Sequence, residues 1–183
     1  MSRIPYPTED ELTPESRELM AKLPPLNVIR MFSGAPASLR PLSELGQAIL
    51  LQSELDPRLR EIAILAVAHA SDSEYEGKQH ENICRAIGME EKEIRAAADG
   101  QVDELDDEAR LIWRFGYEVA NDVKASEELT SQVLDLLGRQ QATELVVACA
   151  FYSGVARIIE TCGVELEDTL PTEDINPDDW TED

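Results

Sequence analysis

The sequence predicts an all-α fold, a bundle of seven or eight helices around a central helical hairpin. Three observations predict it. Apolar residues recur at helical spacing through most of the chain. Helix starts and stops, such as Asp56-Pro57, Leu137-Gly138 and Asp99-Gly100, punctuate it at intervals of one helix length. No segment carries the sustained alternation of a strand.

Taken in order, residues 8–23 read as a first helix that Thr13-Pro14-Glu15 starts or restarts and Pro24-Pro25 ends. Residues 26–36 are expected to be irregular, with Asn27, Arg30, Met31 and Phe32 wrapping over the hairpin. Residues 37–52 form a second helix whose Leu39, Leu42, Leu45, Ile49 and Leu50 make one apolar stripe, with Pro41 in its first turn.

The hairpin follows. Asp56 supplies an N-cap carboxylate and Pro57 occupies N1, where its missing N–H costs nothing. In the helix over 57–70, Leu59, Ile62, Ala63, Leu65, Ala66, Val67 and Ala70 cover most of the circumference, so this helix is buried on several sides and Glu61 is partly buried with it. Ser71-Asp72-Ser73 breaks the chain and caps a second helix, which Gly88 ends.

Residues 90–98 make a short charged helix stopped at Asp99-Gly100. Asp106 and Asp107 favour a helix start, and residues 107–122 bury Leu111, Ile112, Phe115 and Val119, with Trp113 at an edge or a subunit interface. A further helix runs from Ser126 to Leu137-Gly138. Residues 142–162 are apolar nearly all round, as suits a bundle centre or an interface. Gly154 within them costs about 1 kcal/mol relative to Ala, tolerable where another helix crosses closely. Residues 167–183 are acidic, Pro-broken and expected to be flexible, with Trp180 as their one strong anchor.

Chemistry concentrates in the hairpin. Ser73, Glu76 and His80 are spaced i, i+3, i+7 and return to within roughly 20° of one direction. Glu76 and His80 are an i, i+4 pair in which a carboxylate can orient an imidazole. An antiparallel hairpin also brings Glu61 toward them. Two carboxylates and an imidazole inside an apolar bundle have the pKa spread that general acid and base chemistry requires. The competing reading of the same three residues, a Zn or Fe site, lacks a second converging His or Cys, so no metal is expected.

The run over residues 55–88, with Arg60-Glu61, Glu74-Tyr75-Glu76, His80 and Gly88 in order, resembles the signature hairpin of the carboxymuconolactone decarboxylase family, which includes the alkylhydroperoxidase D-like proteins. In the thiol peroxidase branch of that family a Cys-x-x-Cys-x-x-x-His motif follows a Glu. The matching positions here are Ser73, Glu76 and His80 behind Glu61, so the redox pair is missing and the Tyr-Glu-x-x-x-His form is similar to the decarboxylase branch. The resemblance implies an alkylhydroperoxidase D-like helical bundle and cofactor-free acid/base chemistry on a small carboxylated or lactone-like substrate. It implies His80 as proton donor or acceptor, Glu76 orienting it and Glu61 relaying protons or holding substrate. Ser73 and Tyr75 would bind or relay, and Arg30 at the mouth would meet a substrate carboxylate. A homo-oligomer, whether dimer, trimer or hexamer, is expected. A peroxide-linked antioxidant activity and a non-catalytic oligomeric binding protein are the alternatives.

Composition bounds these readings. With 183 residues one domain is expected, over 1–166, followed by the acidic tail. No apolar run has transmembrane length and residues 1–12 lack the hydrophobic core of a leader, so a cytoplasmic protein without membrane partners is expected. The formal charge is −22, from 38 acidic and 16 basic residues, only four of which are Lys. Such a surface repels nucleic acid, and it suits either a solvated acidic coat or a high-salt environment that screens self-repulsion. Cys84, Cys149 and Cys162 are odd in number and widely spaced, and read as small core residues rather than a disulfide or metal set.

Overall fold

The computed structural model describes residues 2–168, so the acidic stretch beyond 168, with Trp180, lies outside the described residues. Within them are eight α-helices, two short 3-10 turns and no strand, as the periodicity requires. The helices are α1 (Pro14–Met20), α2 (Asn27–Phe32), α3 (Pro36–Leu51), α4 (Pro57–Ala70), α5 (Glu74–Ala86), α6 (Glu91–Ala98), α7 (Asp107–Asp122) and α8 (Glu127–Cys162).

Side-chain caps open three of these helices. Thr13, Asp56 and Asp106 each accept the backbone N–H three residues on, from Ser16, Leu59 and Ala109, and so open α1, α4 and α7. The helix expected over 8–23 is split into the Glu9–Glu11 3-10 turn and α1, because Thr13 caps a fresh start with Pro14 at its first position. Residues 26–36 are not irregular: they contain α2, followed at once by α3, with Pro41 inside α3 rather than in its first turn. In α8, Gly138 has φ 71° and ψ 174°, so two helices run end to end through one non-helical residue. The stop predicted at Leu137-Gly138 is real in conformation, although the helical hydrogen bonding bridges it.

The described residues fall into two compact units. In the unit over Ser53–Arg157, α4 is the central element, with Ile62, Ala63, Ile64 and Ala66 fully buried. α4 packs most extensively on α7 and also on α5 and α6. The α4–α7 approach is set by Gly116, where an added Cβ would stand 2.6 Å from the Ala63 carbonyl oxygen. Trp113 is buried in this unit and its indole N–H donates to the Ala97 carbonyl at 2.7 Å, which places it in the α6–α7 packing rather than at an edge. Glu144 of α8 accepts the Ser53 hydroxyl and the Leu55 N–H, both at 2.9 Å.

The other unit comprises residues 2–52 and 158–168. Here the Cys162 carbonyl at the end of α8 accepts the N–H groups of Arg3 and Ile4, and the Asn27 N–H opening α2 donates to Glu167 at 2.7 Å. Contrary to the absence of any such run in the sequence reading, α8 is long and apolar enough, by length and composition alone, to cross a membrane. The charges it carries interrupt a strictly apolar run without lowering its average much. Leu145, Ala148, Cys149, Tyr152 and Ala156 of the same helix are buried in the protein.

Candidate active site

α4 and α5 are joined by Ser71-Asp72-Ser73, where Asp72 takes a left-handed φ of 50° and the Ser73 N–H returns to the Ala68 carbonyl. That reversal lays α5 back along α4. Ser73 occupies the N-cap of α5, but its hydroxyl makes no capping bond; it is buried without a hydrogen-bond partner among the described residues. It also lines a cleft of about 410 Å³ with His69, Lys78 and Glu81, to which neither Glu61 nor His80 contributes.

Glu61 is completely buried, at 0% exposure, rather than partly so. One carboxylate oxygen faces His80 Nδ1 at 2.6 Å and the other accepts the Arg60 Nε–H at 2.9 Å. Burial alone would raise the Glu61 pKa, yet the charges and hydrogen bonds of His80 and Arg60 outweigh it and hold the carboxyl below its ordinary value. The carboxylate on Nδ1 of His80 is therefore Glu61 of α4, not Glu76 of its own helix. The i, i+4 pair is close in sequence, but the turn at Asp72 aims the ring across the hairpin.

Glu76 is 2% exposed and His80 4%, so both sequence-chosen partners are interior groups. Tyr152 of α8 packs its ring edge-to-face on the His80 imidazole with centroids 4.5 Å apart. Burial, and then the negative charges of Glu61 and Glu76, push the Tyr152 phenol well above its usual pKa, so it stays protonated. Tyr75 is buried on α5 beside Glu76. Arg30 is exposed and belongs to the other unit, where its guanidinium lies 4.6 Å from the Tyr6 ring centre and donates to Asn27 Oδ1.

Two site residues were not assigned a role by sequence reasoning. Tyr152 stands 72 positions beyond His80, and its only sequence signal is a phenol midway along the most apolar helix. Arg60 is one of two Arg residues in the first turn of α4, which the sequence alone does not tell apart; it is 4% exposed. Among the described residues its Nη groups make no hydrogen bond or ion pair.

The thiols are poorly placed for attack. Burial, reinforced by the Glu61 charge, raises the Cys84 pKa far above the ordinary thiol value, and burial lifts Cys149 to about 12. No three His, Cys, Asp or Glu side chains among the described residues are grouped to hold a metal ion.

An all-helical scaffold with a buried carboxylate–imidazole pair across its central hairpin is the class this chain defines. Its fold is that of the alkylhydroperoxidase AhpD core. The chain is similar to an uncharacterised peroxidase-related protein from Ralstonia eutropha JMP134 described as an alkylhydroperoxidase AhpD core, with 20% identity over 91% of this chain and 93% of that one and a TM-score of 0.77. It is similar also to an uncharacterised peroxidase-related protein from Silicibacter sp. TM1040, with 16% identity over 91% and 92% of the two chains and a TM-score of 0.77. Residues 36–110, which carry the hairpin, match the model of the carboxymuconolactone decarboxylase family. No curated protein matches the chain.

Proposed function

We propose that the chain is an enzyme of the carboxymuconolactone decarboxylase type, performing acid/base chemistry on a small carboxylated or lactone-like substrate. The observation that carries this reading is the 2.6 Å contact between Glu61 and His80 Nδ1, two side chains that are both buried. Glu61 takes the orienting role: it fixes the ring tautomer, stabilises an imidazolium and leaves Nε2 as the nitrogen for proton transfer.

In the decarboxylation, the C–C bond to the substrate carboxylate breaks and CO2 leaves. The electron pair moves through the conjugated system to the lactone carbonyl oxygen, and His80 Nε2–H delivers a proton to carbon. Donors that stabilise the intermediate enolate act best in a buried site such as this one. Glu76, four residues before His80, holds substrate or relays the proton, with Ser73 and Tyr75 beside it. Tyr152 supports the ring and can lend its proton to developing oxyanion charge.

The test is decarboxylation of 4-carboxymuconolactone by the wild type and by His80→Gln. Loss of a general acid of this kind costs about 10² to 10⁴-fold in rate. Unchanged turnover in His80→Gln would end the proposal.

A peroxide-linked activity is the second reading, favoured by the peroxidase-related descriptions of both similar structures. Ser73 and Glu76 at the redox positions, with Cys84 and Cys149 buried and protonated, leave the hairpin without a thiolate to attack peroxide. Thiol-driven consumption of an alkyl hydroperoxide, abolished by Cys84→Ser, would establish that reading instead. Self-assembly completes the proposal. Val146 and Val147 present apolar surface on α8, and light scattering on the purified chain reads the assembly state.

A further inference from the structure

Arg60 sets a problem that the acid/base reading leaves open. A guanidinium carries five N–H donors in a rigid fork, and burying it is costly unless those donors are used. Here Nε is committed to Glu61 at 2.9 Å, while the Nη1–Nη2 edge has no hydrogen bond or ion pair among the described residues. The residue is 4% exposed and its Nη atoms are not among the fully enclosed polar atoms without a partner, so the edge keeps only a narrow opening to solvent, through which a ligand could reach it. Neutralising Glu61 accounts for the positive charge, but a compact ammonium would do as much. It does not account for a second, unused donor edge.

The edge has the geometry of a carboxylate receiver, since two parallel N–H groups match the two oxygens of a carboxylate or of the anionic end of a lactone acid. Its Nε shares the Glu61 carboxylate with His80 Nδ1, so an anion on the outer edge is linked to the imidazole through that one carboxylate. In a chain of net charge −22 it is also a cation whose outer edge no described carboxylate occupies. We propose that Arg60 is the substrate-anchoring residue of this site, taking the substrate carboxylate on Nη1 and Nη2 while Nε holds Glu61. The assignment rests on the acid/base reading of the hairpin and moves the anchoring role from Arg30 to the hairpin itself.

One consequence follows from the shared guanidinium. Anion binding on the outer edge draws the Arg60 fork toward the ligand and changes the Nε–H···Oε1 bond to Glu61, so the His80 ring senses occupancy of the anion site. The experiment uses the full chain with ¹⁵N-labelled arginine and histidine, titrated with 5-oxotetrahydrofuran-2-carboxylate and separately with its methyl ester. The acid is expected to shift the Arg60 guanidinium and His80 ring resonances saturably, with the uncharged ester binding at least tenfold more weakly. Arg60→Lys, which keeps the charge beside Glu61 but lacks the fork, is expected to weaken acid binding about tenfold and leave ester binding unchanged.

If acid and ester bind equally to the wild type, or Arg60→Lys binds the acid within twofold of wild type while the His80 signals still move, the anchoring role is refuted and the acid/base site stands. If neither compound moves the His80 signals of the wild type, the acid/base reading for this substrate class fails, and the anchoring role with it. The acid and ester comparison needs no variant, so it decides even if Arg60→Lys folds poorly.

Discussion

Replacing Glu61 by Gln removes the one negative charge bonded to both Arg60 and His80 while keeping nearly the same volume. Both bonds are charge-assisted, at 2.9 Å and 2.6 Å, and the carboxylate is fully buried. Bonds to charged groups contribute about 1.5–3 kcal/mol each, and breaking a buried ion pair from one side costs about 3–5 kcal/mol because the other charge is left uncompensated. The two figures agree, so Glu61→Gln should lose about 3–5 kcal/mol of the roughly 5–15 kcal/mol that holds a domain together. The variant should fold, but marginally. The sign of the pH dependence is fixed by the depressed pKa of Glu61 in the folded chain. Its stabilisation is complete above the unfolded value of about 4.3 and is lost as pH falls through the lower folded value. Guanidinium titrations of both proteins at pH 7 and at several lower pH values measure the difference. It should be largest near neutrality and shrink toward zero as the wild-type carboxyl protonates. A difference below about 1 kcal/mol at pH 7, or one that grows on acidification, would refute the pairing argument.

Other perturbations read other parts of the structure. Gly138→Ala meets no atom within 4 Å but must hold φ at 71° and ψ at 174°, so thermal unfolding should show a loss of about 1–3 kcal/mol from backbone strain alone. Arg58 bridges Glu93 and the α7 N-cap Asp106 from a partly exposed position; Arg58→Ala should cost at most about 1 kcal/mol, less in high salt, by denaturant titration at two ionic strengths. A thiol reagent should modify the half-buried Cys162 first and reach Cys84 and Cys149 only on unfolding, one group and then two by absorbance. Rapid modification of Cys84 in the native protein would overturn the burial argument.

Helix boundaries were legible wherever a cap and a break coincide, as at Asp56-Pro57, Asp106-Asp107 and Leu137-Gly138, because those residues act through backbone bonds within one turn. α2 escaped because it has only six residues, too few for a periodic signal, lying between Pro25 and Gly34. Spacing and resemblance singled out Glu61, Glu76 and His80, and all three are buried. Their bonding was not legible, since helical spacing favours the local Glu76 while tertiary geometry joins His80 to Glu61. Tyr152 meets His80 through a ring contact 72 positions apart in the chain, which no local pattern encodes. Arg60 entered the reading only as part of the Arg60-Glu61 pair of the resemblance, and its idle donor edge exists only in three dimensions.

The Gly116 crossing sets one contact of α4 apart from another. Where α7 meets α4, main chain rests against main chain, with no rotamers to rearrange and no side chain to swing aside. Such a seam behaves as a weld. α5 meets α4 differently, through side chains that include the Glu61–His80 contact, and a bond between side chains can open and re-form. Of these two contacts of α4, the one with α5 therefore depends on the protonation of its side chains and the one at Gly116 does not. Any loosening of α5 on α4 would then register at the His80 imidazole itself.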